Sequence, residues 1–412
     1  MSQIKKTKQF LETLKFVQSL DHYGNVPYFV NSVTKSLSNL FSKDKLDVVE
    51  DEFALYLKVG NQKLPPVLVD THLDHPGFTI TEDNTVHSLG SFLNSKMLNK
   101  IKFPEKLPVS FYSPAGYYVT SGNLYKITTS NSQIRAFYQT DNNLTLPVNT
   151  QVMPQVTTGL EKDLLKLRSA DNLSTVFVCL RLIESLKNKN NINLTFIFSK
   201  LEEIFQLSAT GISKRGSTPF EKINNNTPII VLEVAPVLTR VQAQSGDLAV
   251  ASKENIFNTL NSNSKTLATL KSVCLENNTK LHYTRLNSHG NSISYRLVAG
   301  NTETICLHAG NFNRHNIDDE GNIAAEEVYL KSLINLEKVV SNLIKRLSAD
   351  YPSPAQKLVF LPEETSKRNQ LLSAYTRAYP RLKLNKLYPK SLIEYLYFGH
   401  YSLLSKLFNF SK

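Results

Sequence analysis

Near the start of the chain, apolar residues recur at helical spacing: Phe10, Leu11, Leu14 and Leu20, then Phe29, Val30, Val33, Leu37, Leu40 and Phe41. That period predicts a helical region over residues 9–42, interrupted by Asp21-His22-Tyr23-Gly24-Asn25-Val26-Pro27. Two strands are expected next. One runs from Phe53 to Val59; the other, Pro66-Val67-Leu68-Val69-Asp70-Thr71-His72, is a nearly continuous apolar run of the kind buried on both faces.

From about residue 83 to 160 the texture changes. Val109–Tyr112, Gly116–Thr120, Asn123–Thr128 and Gln133–Tyr138 are short, rich in aromatic and β-branched residues, and separated by Ser, Asn, Gly and Pro. This predicts a small all-β module set into another domain. Helix and strand then alternate. An amphipathic helix is expected from Asp171 to Leu186, strands at Asn193–Phe198, Thr227–Val234 and Glu303–Leu307, and a helix from about Ile323 to Leu347. Alternation of this kind specifies an α/β sheet covered by helices on both faces. No internal repeat is visible. Beyond residue 350, five prolines and seven tyrosines among scattered Lys and Arg mark a separate appendage with helical stretches such as Ser391–Phe408.

Composition narrows the class. At 412 residues, 41% hydrophobic and 20% charged, the chain has material for a real core and for two or three structural units. It has no apolar run long enough to span a bilayer as a helix. Its basic start, Met1 to Lys8, leads into an amphipathic stretch rather than the apolar core of a secretory signal. The three cysteines, Cys179, Cys274 and Cys306, are odd in number and far apart. They fit buried thiols in a reducing, cytoplasmic compartment better than a disulfide framework, and no Cys-x-x-Cys pair offers a thiolate zinc knuckle. The formal charge of +12 raises the question of an anionic partner. From Arg346 onward there are 11 Lys+Arg against 4 Asp+Glu, a net of +7, so more than half of the excess sits in the tail.

The chemistry-bearing residues fall where strands end. Thr71-His72-Leu73-Asp74-His75-Pro76-Gly77-Phe78 follows one strand, Asp171 opens a helix, and Leu201-Glu202-Glu203 follows another strand. Glu233 ends the next, and the last strand feeds a loop with His308 and His315. Ligands bind beyond the carboxyl ends of strands in open α/β sheets, so separate segments would deliver His, Asp, Glu, Glu and His to one place. Two imidazoles and three carboxylates, one able to bridge, suit a pair of divalent metals roughly 3.5–4 Å apart. The extra glutamate of the Glu-Glu pair is then free to act as a base.

At these residues the chain resembles the glutamyl-aminopeptidase/endoglucanase-like family of di-metal aminopeptidases, some of which form tetrahedral dodecamers. Thr71–Phe78 is similar to the family's Ala-His-x-Asp-Glu-Ile-Gly-Phe. Leu167-Arg168-Ser169-Ala170-Asp171-Asn172 is similar to Ser-Arg-Ala-Leu-Asp-Asn-Arg, and Leu201-Glu202-Glu203-Ile204-Phe205 to Gln-Glu-Glu-Val-Gly. The resemblance covers roughly residues 10–345. It implies a mixed α/β sheet flanked by helices, of zinc-exopeptidase type, formed by residues 1–82 and 161–347. A small β-barrel dimerisation domain at 83–160 and a C-terminal extension at 348–412 complete the implied organisation.

It further implies two zinc or cobalt ions, with Asp171 bridging them, His72 and Glu233 completing one site, and Glu203 and His315 the other. Asp74 would hydrogen-bond His72, and Glu202 would be the general base. His315 is preferred to His308 because it lies beyond the strand and matches the family position. His75, His289 and His308 are expected to be structural or pocket-lining. Departures are Glu233 in place of Asp, His75-Pro76 in place of Glu-Ile, Asn287-Ser288-His289-Gly290-Asn291-Ser292 in place of Gly-Gly-Gly-Thr-Asp-Ala, and Gly310–His315 in place of Pro-x-Arg-Tyr-x-His.

The expected function is therefore a cytoplasmic metallo-aminopeptidase acting on peptides, assembled as a homo-oligomer between dimer and dodecamer. Competing readings are an altered or inactive scaffold, a deacylase or carboxypeptidase on the same site, and a nucleic-acid or membrane contact through the basic tail. The prolines and polar interleaving of that tail do not make a clean basic amphipathic helix.

Overall fold

The computed structural model describes residues 7–90, 101–130, 133–254, 257–286, 290–349 and 362–384. Two helices open the chain, α1 (Lys8–Leu20) and α2 (Asn31–Lys43), followed by strands β1 (Asp47–Glu50), β2 (Ala54–Gly60) and β3 (Val67–His72). Strands β4 (Gly77–Ile80), β5 (Val86–Leu89), β6 (Lys106–Tyr112), β7 (Tyr118–Ser130), β8 (Gln133–Thr140) and β9 (Gln151–Pro154) close into a barrel in the order β4-β5-β8-β7-β6-β9. Then come β10 (Gly159–Glu161), β11 (Leu164–Leu167), α3 (Ala170–Leu186), β12 (Asn193–Ser199), α4 (Leu207–Arg215) and β13 (Ile229–Ala235). Next are α5 (Arg240–Ser245), β14 (Leu248–Glu254), β15 (Phe257–Asn258), α6 (Lys265–Glu276), β16 (Leu281–Leu286) and α7 (Asn291–Leu297). The described chain ends with β17 (Thr304–Phe312), β18 (Glu326–Tyr329), α8 (Leu330–Ala349) and α9 (Pro362–Leu384).

The mixed α/β class expected from the sequence is the class observed. The main sheet runs β1-β2-β12-β3-β13-β17-β18-β11-β10, with β14 to β16 branching from β17. Its centre is parallel: β12, β3, β13 and β17 point the same way. Alternate residues of these strands enter two separate cores, as period-2 geometry requires. On β13, Ile230, Leu232 and Val234 join α1, α3, α6 and α8, while Ile229, Val231 and Ala235 join the core containing α4, α7 and α9. Val67 and Val69 of β3 face the first core and Leu68 the second. Burial on both faces explains the unbroken apolar runs.

Several elements differ from the sequence reading. Helix α3 is buried on every side for most of its length rather than on one face, because it lies between the sheet and α1 and α8; Leu173 and Phe177 on one side and Val178, Cys179 and Leu182 on the others all join the first core. The strand that precedes α8, β18, takes residues 326–329 out of the expected helix and pairs them with β11 and β17. The barrel begins at β4, before residue 83, so the His72–Asp74 motif leads straight into it. Gly116–Thr120 and Asn123–Thr128 merge into one strand, β7, which absorbs register shifts against β6 and β8. Gly122 permits the closest of these approaches, since a Cβ there would meet the Gln139 carbonyl at 2.2 Å.

The segment expected as a separate appendage contains α9, whose Leu371, Ala374 and Tyr375 are buried, the last two in the second core. The proposed helix at 391–408 lies outside the described residues. Among the described residues no helix is long and apolar enough to cross a membrane. Cys179, Cys274 and Cys306 are buried and free.

Candidate metal centre

Strand β3 ends on His72, whose Nε2 is 3.2 Å from Asp171 Oδ1 and 3.3 Å from Glu233 Oε2. Its Nδ1 is 2.9 Å from the backbone oxygen of Asp74. That bond fixes the ring, leaving Nε2 to face the carboxylates. The Asp74 carboxylate, expected in this role, stands further off at 3.6 Å. Instead it accepts the amides of Glu202 and Glu203 at 3.1 and 3.0 Å. One short loop thus orients both the histidine after β3 and the glutamate pair after β12.

Asp171 sits at the start of α3, outside helical geometry and joined to Asn172 by a cis peptide. Asn172 Nδ2 donates to the Leu232 carbonyl at 2.8 Å and to Glu233 Oε2 at 3.2 Å, which ties α3 to the end of β13. His315 lies in a tight turn with φ +57°, flanked by Asn313 and Asn316 at +59° and +63°. Left-handed backbone of this kind is uncommon outside glycine, though Asn and His tolerate it best. The turn aims His315 Nε2 at Glu203 Oε1, 3.3 Å away, with Asp171 Oδ2 at 3.8 Å. Phe205 stands where the resembled motif has glycine, and it takes the glycine's left-handed conformation, φ +53°.

All seven sequence-predicted residues are buried. Six fall into three groups whose ligand atoms lie within 4.8 Å of one another: His72, Asp171 and Glu233; Asp171, Glu203 and His315; His72, Glu202 and Glu203. Asp171 is common to the first two. Asp74 stands behind them. His308 is buried in β17 beside Glu233, belongs to none of the groups, and has its imidazole pushed down to about 3 by burial. His289 lies outside the described residues.

Burial works against every charge here, and the partners decide which side wins. For Asp171 burial is outweighed by Arg314 and the imidazoles, which hold its carboxyl far below the ordinary range. Glu203 is lowered against burial by His315. Burial and the neighbouring carboxylates push Glu202 well up, and Glu233 rises to about 7 from burial and the Asp171 charge despite His72. Among the described residues, no group donates a hydrogen bond to Asp171 Oδ1 or Glu233 Oε1. Buried carboxylate oxygens without donors, facing imidazole nitrogens, are a donor set that fits divalent cations.

Two contributors, Glu326 and Arg314, were missed by sequence reasoning, whereas His75 was expected as a structural or pocket-lining residue. Glu326 of β18 accepts the Asp171 amide at 2.7 Å and the His315 amide at 2.6 Å. His75, the imidazole replacing the family's glutamate, brings Nε2 to 3.4 Å from Glu326 Oε1. Arg314 Nε donates to Asp171 Oδ2 at 3.0 Å. For Arg314 the only signal was its place directly before His315.

A mixed sheet with a parallel centre, an inserted closed barrel and a buried His/Asp/Glu cluster beyond the parallel strands define the class of this fold. No family model and no curated protein matches the chain by sequence. Solved structures do match by fold. A TET aminopeptidase from a marine-sediment Thaumarchaeota archaeon superposes with a TM-score of 0.65 at 12% identity, covering 83% of this chain and 98% of its own. An aminopeptidase from the archaeon Desulfurococcus kamchatkensis gives 0.63 at 12% identity, covering 83% and 96%. The Pyrococcus horikoshii TET1 peptidase, which assembles into a tetrahedron or a large octahedral shell, gives 0.59 at 14% identity, covering 81% and 99%. These are the aminopeptidase group that the sequence motifs resemble, and the likeness is one of fold.

Proposed function

We propose that this protein is a metal-dependent aminopeptidase that removes N-terminal residues from peptides. The observation that carries the reading is the sharing of Asp171 between two His-carboxylate groups, with Glu202 beside them as an additional carboxylate. Asp171, His72 and Glu233 would hold one divalent ion, and Asp171, Glu203 and His315 the other, zinc and cobalt being the ions best suited. Bound there, the ions supply Lewis acidity toward the scissile carbonyl and acidify water. Glu202 would hold the proton of the attacking water on its carboxylate and pass it to the leaving amine. Asp74 positions Glu202 by accepting its amide, and His72 is held in one tautomer by the Asp74 carbonyl. We place the reaction in the cytoplasm, where three buried free thiols are at home. Copies of the chain assemble, as the TET relatives do, with the exposed Tyr117, Tyr118, Val119 and Phe137 of the barrel as available apolar surface.

The test is metal analysis of the purified protein together with hydrolysis of free-amine and N-blocked aminoacyl chromogenic substrates. Two bound ions are expected, with turnover restricted to free amines. Glu202→Gln should lower kcat by about 10²–10⁴-fold with metal content unchanged. Hydrolysis of N-blocked substrates alone would move the protein to the deacylases. No metal and no hydrolysis would remove the reading.

A further inference from the structure

Gly290–Ser292, where the family motif is replaced, forms one wall of the site. A Cβ on Gly290 would stand 3.8 Å from Glu202 Oε1 and 3.9 Å from Glu233 Oε1. The backbone here faces the carboxylate cluster directly. Two supports hold it. Glu254, buried at the end of β14, accepts the Gly290 amide at 2.6 Å and also the Ser292 hydroxyl. Asn291 opens α7 and donates to buried Asp70 at 3.1 Å, while Tyr295 one turn on donates to the same carboxylate at 2.9 Å.

The outer side of α7 is covered by α9. Glu364, Lys367, Arg368, Leu371, Ala374 and Tyr375 recur at the three- and four-residue spacing of one helix face. At one end of that face Glu364 accepts from Arg296 of α7 at 3.1 Å, with only 5% and 10% of the two side chains exposed. At the other end Tyr375 lies 6.0 Å from the Phe53 ring, and Lys214 of α4 caps the tyrosine ring at 4.7 Å. Between them Lys367 and Glu254 act on each other electrostatically, so the extension also bears on the carboxylate that holds Gly290. A buried ion pair is costly to break from one side because the remaining charge is left without its partner.

We propose that α9 is the brace that fixes the Gly290–Ser292 wall, making the C-terminal extension a specificity-determining part of the site. The proposal deepens the aminopeptidase reading and rests on it for the substrate class, the N-terminal residue of a peptide. The wall faces the place where substrate must lie and supplies no metal ligand, so loosening it changes how substrate is seated more than how water is activated.

The experiment uses the full-length, metal-loaded protein and Glu364→Gln, with Glu364→Asp and the swap Arg296→Glu/Glu364→Arg as conservative and compensating variants. KM and kcat are measured over aminoacyl substrates of different side chain, alongside bound metal and hydrogen exchange of the peptide spanning α7. Glu364→Gln should raise KM about tenfold, unequally across side chains, and speed exchange at residues 290–297, with metal content unchanged. The aspartate or the swap should recover part of both effects. Unchanged KM together with unchanged exchange overturns the proposal, as does loss of metal in step with activity, which marks general unfolding. Should the parent protein hydrolyse none of these substrates, the aminopeptidase reading fails by itself. The exchange comparison then still decides whether α9 braces α7, and unaltered exchange overturns the brace.

Discussion

Glu326 shows how a single carboxylate can organise a centre it does not join. Its two oxygens receive the amides of Asp171 and His315, which follow β11 and β17, the strands on either side of β18. Those two side chains belong to the same candidate ligand group. Glutamine at this position offers one acceptor oxygen in place of two, so one buried amide loses its partner and faces an NH₂ group instead. Outer supports of metal ligands typically contribute 10–100-fold in affinity. Glu326→Gln should therefore weaken zinc binding by about that factor, read by isothermal titration of the metal-free protein; an unchanged dissociation constant would show that the clamp has no bearing on the ion. The residues of the candidate groups were legible in the sequence because metal chemistry favours His, Asp and Glu, and the fold places such residues at strand ends. Glu326 was not legible, because it works through backbone amides, which no residue-type pattern records. Asp74 was legible as a participant, but its carboxylate turned out to serve the Glu202 and Glu203 amides while its carbonyl serves His72.

The joint between β14 and α7 makes the pH behaviour of one element specific. Burial pushes Glu254 up to about 8, against the lowering effect of the Gly290 amide, from an ordinary 4.5. The folded protein thus holds this proton more tightly than the unfolded chain does. Between about pH 4.5 and 8, unfolding releases it, so the contribution of Glu254 to stability falls as pH rises. Glu254→Gln imitates the protonated form and keeps an acceptor for Gly290. The variant should match the parent in Tm near pH 5 and exceed it increasingly toward pH 8. A constant offset across that range would contradict the assignment. Lys367, lowered to about 8 mainly by burial, acts in the opposite sense above that pH, where the unfolded chain binds the extra proton. At this scale the sequence was read well where the period was clean, as in α1, α2 and the apolar runs of β3 and β12. It misled where tertiary contacts override the local pattern. Helix α3 carries a polar start because Asp171 and Asn172 belong to the site, while the rest of it is enclosed by sheet and helices. The Glu326–Tyr329 stretch continues the apolar pattern of α8, yet β11 and β17 offer it hydrogen-bond partners.

Across the whole molecule the charges are arranged against each other. The chain carries +12 overall, yet Asp171, Glu202, Glu203 and Glu233 are buried together at the carboxyl edge of the sheet. Length and alternation made the two-sided sheet and the inserted β module legible, whereas the docking of α9 was not. Its prolines and scattered lysines carry no clean apolar stripe, and its anchor is a buried Glu364–Arg296 pair that only the folded chain brings together. The buried acidic cluster has a consequence for the stability of the whole fold. Carboxylates excluded from water repel one another unless protonated or neutralised by cations, and here Arg314 and the imidazoles of His72, His75 and His315 stand beside them. Divalent ions that bind only the folded chain add RT ln(1 + [L]/Kd), about 4 kcal/mol at a thousandfold excess over Kd, which corresponds to a rise of several degrees in Tm. Exhaustive chelation should therefore lower Tm by several degrees, and zinc or cobalt should restore it where the same ionic strength of sodium chloride does not. Glu202→Gln, which replaces one of the four buried carboxyls by a group that needs no proton to stay neutral and touches none of the proposed ligands, should raise the Tm of the chelated protein while leaving the metal-induced increment in place. Scanning calorimetry on the four combinations of variant and metal measures both effects. If chelation leaves the parent's Tm where it was, the cluster is neutralised by its own histidines and arginine, and the two-ion centre falls with it.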